Sequence, residues 1–241
     1  MDSAKFIEPL FDGKISDDFK FSEINERHAF IKKVYLILIV MLSVTISISA
    51  IFMGVDSVKE WSNQHEVALM VPCMVFVFVF LFMMMCIPDC RYKSPHKWIV
   101  LSLFTLCISV LMGITTSHYD TNIVLLAFGA TATITIALTI FAFQTKWDFT
   151  GAGPYLLAVL VGLIFMGIIQ IWVYDQVLHT VTASIGAILF SFYIIYDTQL
   201  MLDGDHKNSI GPEEHVFAAI SLYLDIINLF VYLLQLIGGD K

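Results

Sequence analysis

The sequence predicts an all-α, polytopic membrane protein of seven transmembrane helices. Three observations carry that reading. Of 241 residues, 58% are hydrophobic and only 14% charged, where a soluble domain has about 45–50% and about 25%. Seven apolar runs follow one another at 34–55, 67–87, 98–116, 121–143, 154–174, 177–202 and 215–237. Each is near the ~20 residues that cross ~30 Å of hydrocarbon as a helix. The last run also carries a polar stripe that a helix surrounded by lipid would not keep.

Residues 1–33 are mixed in charge, with six Lys/Arg and seven Asp/Glu. No signal peptide is visible: the first apolar run begins only at Val34, is span-length and lacks a small-residue cleavage site. Residues 1–33 read as a cytosolic tail, loosely ordered to residue 20, with a short interfacial helix at 21–33. There Phe21, Ile24, Arg27, Lys32 and Lys33 suit the headgroup region. Residues 34–241 read as one transmembrane domain with short loops. The fourth span holds Ala127, Gly129, Ala130, Ala132 and Ala137 among threonines. Small residues let helix backbones approach, so this span is expected to pack on most sides. Pro72 and the Gly162/Gly167 pair read as local packing features, and Met83–Met85 as lipid-facing.

Orientation follows the Lys/Arg residues near span ends. Arg27, Lys32, Lys33, Arg91, Lys93, Lys97, Lys146 and Lys207 fall on one side; only Lys59 and Lys241 fall on the other. The N-terminus is therefore expected in the cytosol. A re-entrant last run, returning the C-terminus to the cytosol, satisfies the same distribution. The net charge of −8 argues against nucleic acid as a partner. Cys73, Cys86, Cys90 and Cys107 lie mostly in apolar runs and suggest no secreted disulfide framework. Cys86 and Cys90 read as free thiols at a helix end, since nothing completes a metal set.

In the last run, Ser221, Asp225, Asn228, Tyr232 and Gln235 are spaced by four, three, four and three. At about 100° per residue that places all five on one helical face. A carboxylate at membrane depth costs at least ~2.5–3.5 kcal/mol on insertion scales, so the stripe should face protein or water. Ser221, Asn228, Tyr232 and Gln235 are the pore-lining candidates. The sixth span brings a second acid, Asp197, in FYIIYDTQLML. Counting from the cytosolic ends at 1.5 Å per residue puts Asp197 at ~8 Å and Asp225 at ~15 Å, close enough for tilt and side-chain reach to join them. Two carboxylates in a low-dielectric site cannot both ionise cheaply and come to share a proton. Protonated, the pair clamps the two helices together; ionised, it repels and offers hard oxygen ligands to Ca²⁺. Two unrelated acids, each satisfied by a neighbouring Tyr, Ser or Asn, fit the same residues. The loop 203–214 has Asp203, Asp205 and Glu214 at EF-hand positions, but Lys207 and Asn208 break the pattern. It reads instead as a turn into a helix start at Pro212.

No G-x-S-x-G, H-E-x-x-H or P-loop occurs, and the protein is not expected to be an enzyme. An intramembrane aspartyl protease would also place Tyr-Asp on a sixth span and Asp on a seventh. Its Gly-x-Gly-Asp is replaced here by Leu222-Tyr223-Leu224-Asp225, and its Pro-Ala-Leu is missing. A non-conducting regulator that binds cell-death proteins or calcium channels fits the stripe as a helix–helix interface. A seven-span receptor would have the opposite orientation.

Four segments carry a resemblance. GPEEHVFAAISLYLDIINLFVYLLQLIG, FYIIYDTQLML, FQTKWDFTGAG and the RYKSPHKW loop with LSLFTLCISVLMG resemble the transmembrane Bax-inhibitor-motif family, lifeguard branch, over residues 28–239. The resemblance implies six helices wrapped around a central last helix, a pH-sensitive Ca²⁺ leak from intracellular stores and suppression of cell death. It implies that Asp197 and Asp225 form the di-aspartyl pH sensor and gate, with Ca²⁺ permeating or weakly held and no other cofactor. Departures are a short tail without a Pro-rich stretch, Gly211 in place of a common capping Ser, and Lys97 where the loop often has Asn. Endoplasmic reticulum, Golgi and plasma membrane all fit. No KDEL-type ending or N-x-S/T sequon is present.

Overall fold

The computed structural model describes the backbone of residues 8–86, 96–173, 175–202 and 214–239, and, within those ranges, side chains at 26–84 and from 97 onward. Its helices are α1 (Glu8–Gly54), α2 (Asp56–Gln64), α3 (Glu66–Cys86), α4 (His96–Ser117), α5 (Thr121–Gln144), α6 (Gly153–Trp172), α7 (Gln176–Leu202) and α8 (His215–Gly238). A 3-10 turn, Thr150–Ala152, leads into α6. All but α2 contain a stretch long and apolar enough to cross a membrane. Their bounds agree with the apolar runs within a few residues, except at the N-terminus.

There the sequence reading is corrected. The stretch expected as a separate interfacial helix at 21–33, and much of the tail before it, is continuous with the first span. No Pro lies between Pro9 and the end of the first span, and the potential cap residues Ser22 and Asn25 do not break the helix. Phe30, Val34, Leu38, Met41 and Thr45 recur at three- and four-residue spacing, and all are buried. The inner stripe of α1 thus begins before the last basic residues, while Lys32 and Lys33 on the opposite side stay exposed. The connection between the first two spans is also more than a loop, since α2 fills it.

α8 is the most buried span and α6 the least. α7 packs on α8 more extensively than any other pair meets; α1 and α5 flank α8, and α1 also packs along α4. The last helix is central, but α3 docks chiefly on α4 and α6 on α7. The envelope around α8 therefore has an inner and an outer layer. The core runs through Phe80 and Phe104, whose rings are 4.6 Å apart, to Tyr223 at 6.2 Å from Phe104.

α5 departs from expectation. Only Val124, Ala127, Thr131 and Ala142 are buried on it, while Leu125, Leu126, Phe128 and Ile136 are exposed. Its small residues leave space beside the helix instead of drawing neighbours in on all sides. Gly162 and Gly167 likewise face open space and pack against nothing nearby. Met84, expected toward lipid, is buried in the core. Cys73 and Cys107 are free thiols. The Cys90 end of the Cys86/Cys90 pair and the loop 203–213 lie outside the described residues.

Candidate functional site

Asp197 lies on α7 and Asp225 near the middle of α8. Their carboxyl groups lie within hydrogen-bonding reach of one another. Asp225 is 5% exposed, and its Oδ2 is buried without a hydrogen-bond partner among the described residues. An ionised carboxylate only accepts hydrogen bonds. Two of them facing each other need a proton between them, or a cation, to be satisfied. Tyr193, one turn before Asp197, is close enough to feel the charge of both acids.

Of the rest of the polar stripe, Tyr232 meets α7, while Asn228 bonds within α8. Asn228 Nδ2 donates back to Leu224 O at 2.8 Å. Tyr232 stacks on Phe190 of α7, ring centroids 5.8 Å apart and planes 24° from parallel. The ring is seated over Gly186, where an added Cβ would come within 2.6 Å of it. Glycine at that crossing is what permits the close approach. Two cavities bear on the bundle around these helices. One, ≈ 330 Å³, opens at the far end of the bundle beside Glu66, His118 and Gly238. The other, ≈ 540 Å³, lies between α1 and α5. Neither is lined by Ser221, Asp225, Asn228, Tyr232 or Gln235. In this conformation the α7–α8 seam is closed where Tyr232 packs on Phe190 and Gly186, and a water path past that point requires the two helices to part.

Two arrangements support the pair; of their residues the sequence points to Tyr196, next to Asp197, but not to Gln199 or to the partners of Tyr223. Gln199, two residues beyond Asp197, is a clasp. Its Nε2 donates to Trp147 O at 2.8 Å, and its Oε1 accepts from Phe149 N at 2.7 Å. Asp148 Oδ1 accepts from Thr150 N at 2.8 Å and closes the turn. The hydroxyl side of Tyr196 fits over Gly153 at the start of α6, where a Cβ would lie 2.6 Å from its oxygen. The KWDFTGAG loop is thereby fastened to the end of α7 that holds Asp197. On the opposite face of α8, fully buried Tyr223 places its Oη 2.7 Å from Thr45 Oγ1 of α1, which lies 3.0 Å from Ser109 Oγ of α4. That hydroxyl cluster ties three helices behind Asp225. Both signals were in the sequence, as Gln199 inside the sixth-span motif and Tyr223 two residues before Asp225. Neither had a partner visible in one dimension.

Residues 27–241 match the family described as "Inhibitor of apoptosis-promoting Bax1". Among curated proteins the chain is 36% identical to Protein lifeguard 3 of Mus musculus over 231 residues, covering 93% of this chain and 74% of that one. It is 37% identical to Protein lifeguard 3 of Homo sapiens over 238 residues, covering 95% and 76%. With Protein lifeguard 4 of Mus musculus the identity is 35% over 227 residues, covering 92% of each. None of these names denotes an enzyme. With seven membrane-length helices among the described residues, the last of them the most buried, and a family match over residues 27–241, this chain belongs to the Bax-inhibitor (Bax1-I) family.

Proposed function

We propose that this protein is a pH-sensitive calcium leak of an intracellular membrane that lowers store calcium and so suppresses apoptosis. The observation that carries the reading is the Asp197–Asp225 pair, seated between α7 and α8 with Asp225 Oδ2 unsatisfied. One proton shared by the pair supplies the missing donor and holds α7 against α8. The clamp is present at lower pH and is lost as pH rises and the proton leaves. Two facing carboxylates then repel, and their hard oxygens can bind Ca²⁺ transiently as the seam opens. Tyr232, Asn228, Ser221 and Gln235 would line the opened path. The orientation with Lys32, Lys33, Lys97 and Lys146 in the cytosol sets the pair in the cytosolic half, and the endoplasmic reticulum or Golgi supplies a Ca²⁺ gradient toward it.

Ca²⁺ efflux from liposomes containing the purified chain tests the reading. Leak should rise between about pH 6 and about pH 8 and lose that dependence when either acid is replaced by Asn. Overlapping wild-type and variant curves would remove the gate.

A second reading has its own observation. The seam is tightly sealed by Tyr232 on Phe190 over Gly186, which suits a non-conducting regulator that binds cell-death proteins or calcium channels. Co-purification of such partners without any Ca²⁺ flux would favour it. Proteolysis is disfavoured on physical grounds. α8 is an unbroken helix through Asp225, so its backbone groups are already paired and a substrate strand finds no edge there.

A further inference from the structure

The larger cavity, ≈ 540 Å³, is a crevice in the side of the bundle. Ile46 and Ala50 of α1 form one wall, Phe128 and Ala132 of α5 the other, and Ile226 and Phe230 of α8 the floor. Gly54, the last residue of α1, and Thr121, the first of α5, line its outer end; Leu42 and Ile136 line its inner end. At 1.5 Å per residue it descends ~18 Å along α1 and ~22 Å along α5. A single leaflet contributes about half of the ~30 Å hydrocarbon core. The crevice therefore starts at the membrane–water boundary on the side away from the Asp pair and runs slightly more than one leaflet deep.

Its chemistry selects an apolar occupant. Thr45, Thr116 and Thr131 turn their hydroxyls back to main-chain carbonyls of Met41, Met112 and Ala127 at 3.0, 2.8 and 2.8 Å. What they present to the space is methyl. Thr135 Oγ1 is the buried lining hydroxyl left without a partner among the described residues, and Ser49 and Thr121 are the remaining hydroxyl residues of the lining, Thr121 at its outer end. The volume falls in the ~300–1,000 Å³ range of ligand pockets. At this depth the surrounding solvent is lipid, and the small residues of α5 hold the space open.

We propose that this crevice is a binding groove for one acyl chain of a phospholipid from the leaflet opposite the Asp pair. The chain enters between Gly54 and Thr121 and ends against the back of α8. Ile226 follows Asp225 directly, so the occupied groove braces the face of α8 opposite the α7 seam. The proposal is independent of whether the protein conducts calcium.

The test reconstitutes the full chain in phosphatidylcholine liposomes with a trace of phosphatidylcholine bearing a diazirine midway along one acyl chain. After photolysis, adducts are mapped by mass spectrometry. Adducts should concentrate on residues 42–54 and 121–136, several-fold above the exposed outer face of α6 at Ile164, Ile168 and Ile171. Ala132→Trp and Ala50→Trp, which fill the groove, should lower groove adducts several-fold and leave α6 adducts unchanged. Thr135→Val should leave labelling intact, because a hydrocarbon chain makes no use of the hydroxyl. Even labelling of groove and α6 in the wild-type chain overturns the proposal, even if neither tryptophan variant folds. So does full groove labelling in a folded Trp variant. Loss of labelling in Thr135→Val, or displacement by a sterol at equal mole fraction, assigns the groove to a polar ligand or a sterol instead and overturns the acyl chain.

Discussion

Replacing Asp225 by Asn is the most direct probe of the carboxyl pair. Asp225 is 5% exposed and its Oδ2 has no donor, while the Asp197 carboxyl lies within reach. An amide of the same shape can turn its NH₂ toward Asp197 and supply that donor permanently. A hydrogen bond to a charged group contributes about 1.5–3 kcal/mol in proteins at large. Side-chain hydrogen bonds measured inside a membrane bundle average ~0.6 and reach ~1.7 kcal/mol. A gain of about 1–2 kcal/mol on the closed seam makes its opening roughly 5–30 times rarer. Calcium efflux from proteoliposomes should fall by about that factor and become flat with pH, while the thermal midpoint rises. Asp225→Leu removes both acceptor and donor, leaves Asp197 without a partner and should shift the midpoint the other way. An Asp225→Asn protein that leaks at the wild-type rate with the wild-type pH profile would refute the shared-proton clamp. So would faster leak at an unchanged midpoint.

Other perturbations test the surrounding frame. Gly186→Val drives a side chain into the Tyr232 ring, which a Cβ alone would approach to 2.6 Å. Overpacking of this kind costs about 1–3 kcal/mol, to be read as a lower thermal midpoint that Tyr232→Ala partly restores. Gln199→Ala removes both bonds to the 147–149 main chain, and limited trypsin digestion should cut at Lys146 several-fold faster. Tyr223→Phe breaks the 2.7 Å contact with Thr45. Thr45 and Ser109 still donate to carbonyls in their own helices, so the loss should stay near ~0.6 kcal/mol, measured by chemical or thermal unfolding in detergent. Single cysteines at Lys59 and Lys146, in a background with the native cysteines replaced, should be labelled by an impermeant maleimide from opposite faces of sealed vesicles.

Legibility differed between the site and the bundle. The Asp225 stripe could be read because helical periodicity is local, and a carboxylate at depth needs a polar neighbour whatever the fold. Pairing Asp225 with Asp197 was a guess at depth from residue counts. The ~7 Å offset between those counted depths shows that distance from a helix end is a poor measure of height once helix ends are staggered. The expectation for α5 failed for a related reason. A small residue permits close approach but does not compel it, and here Ala132 lines a crevice where a neighbour was expected. In the tail, charge suggested a short helix of its own at 21–33, while the structure runs that helix into the first span and begins the buried stripe at Phe30.

Composition and run length by themselves determined the solvent, the seven membrane-length helices and, past the N-terminus, their bounds within a few residues, because each helix must satisfy its own backbone hydrogen bonds in lipid. They also determined which face of the last helix cannot meet hydrocarbon. Only the tertiary structure decided what that face meets. Gly186 admits Tyr232, Gln199 fastens a loop fifty residues earlier in the chain, and Tyr223 finds Thr45. Such contacts depend on how rigid helices rotate and slide against one another. In a bilayer every lipid-facing rotation is nearly equal in hydrophobic energy, so shape and a few hydrogen bonds make that choice.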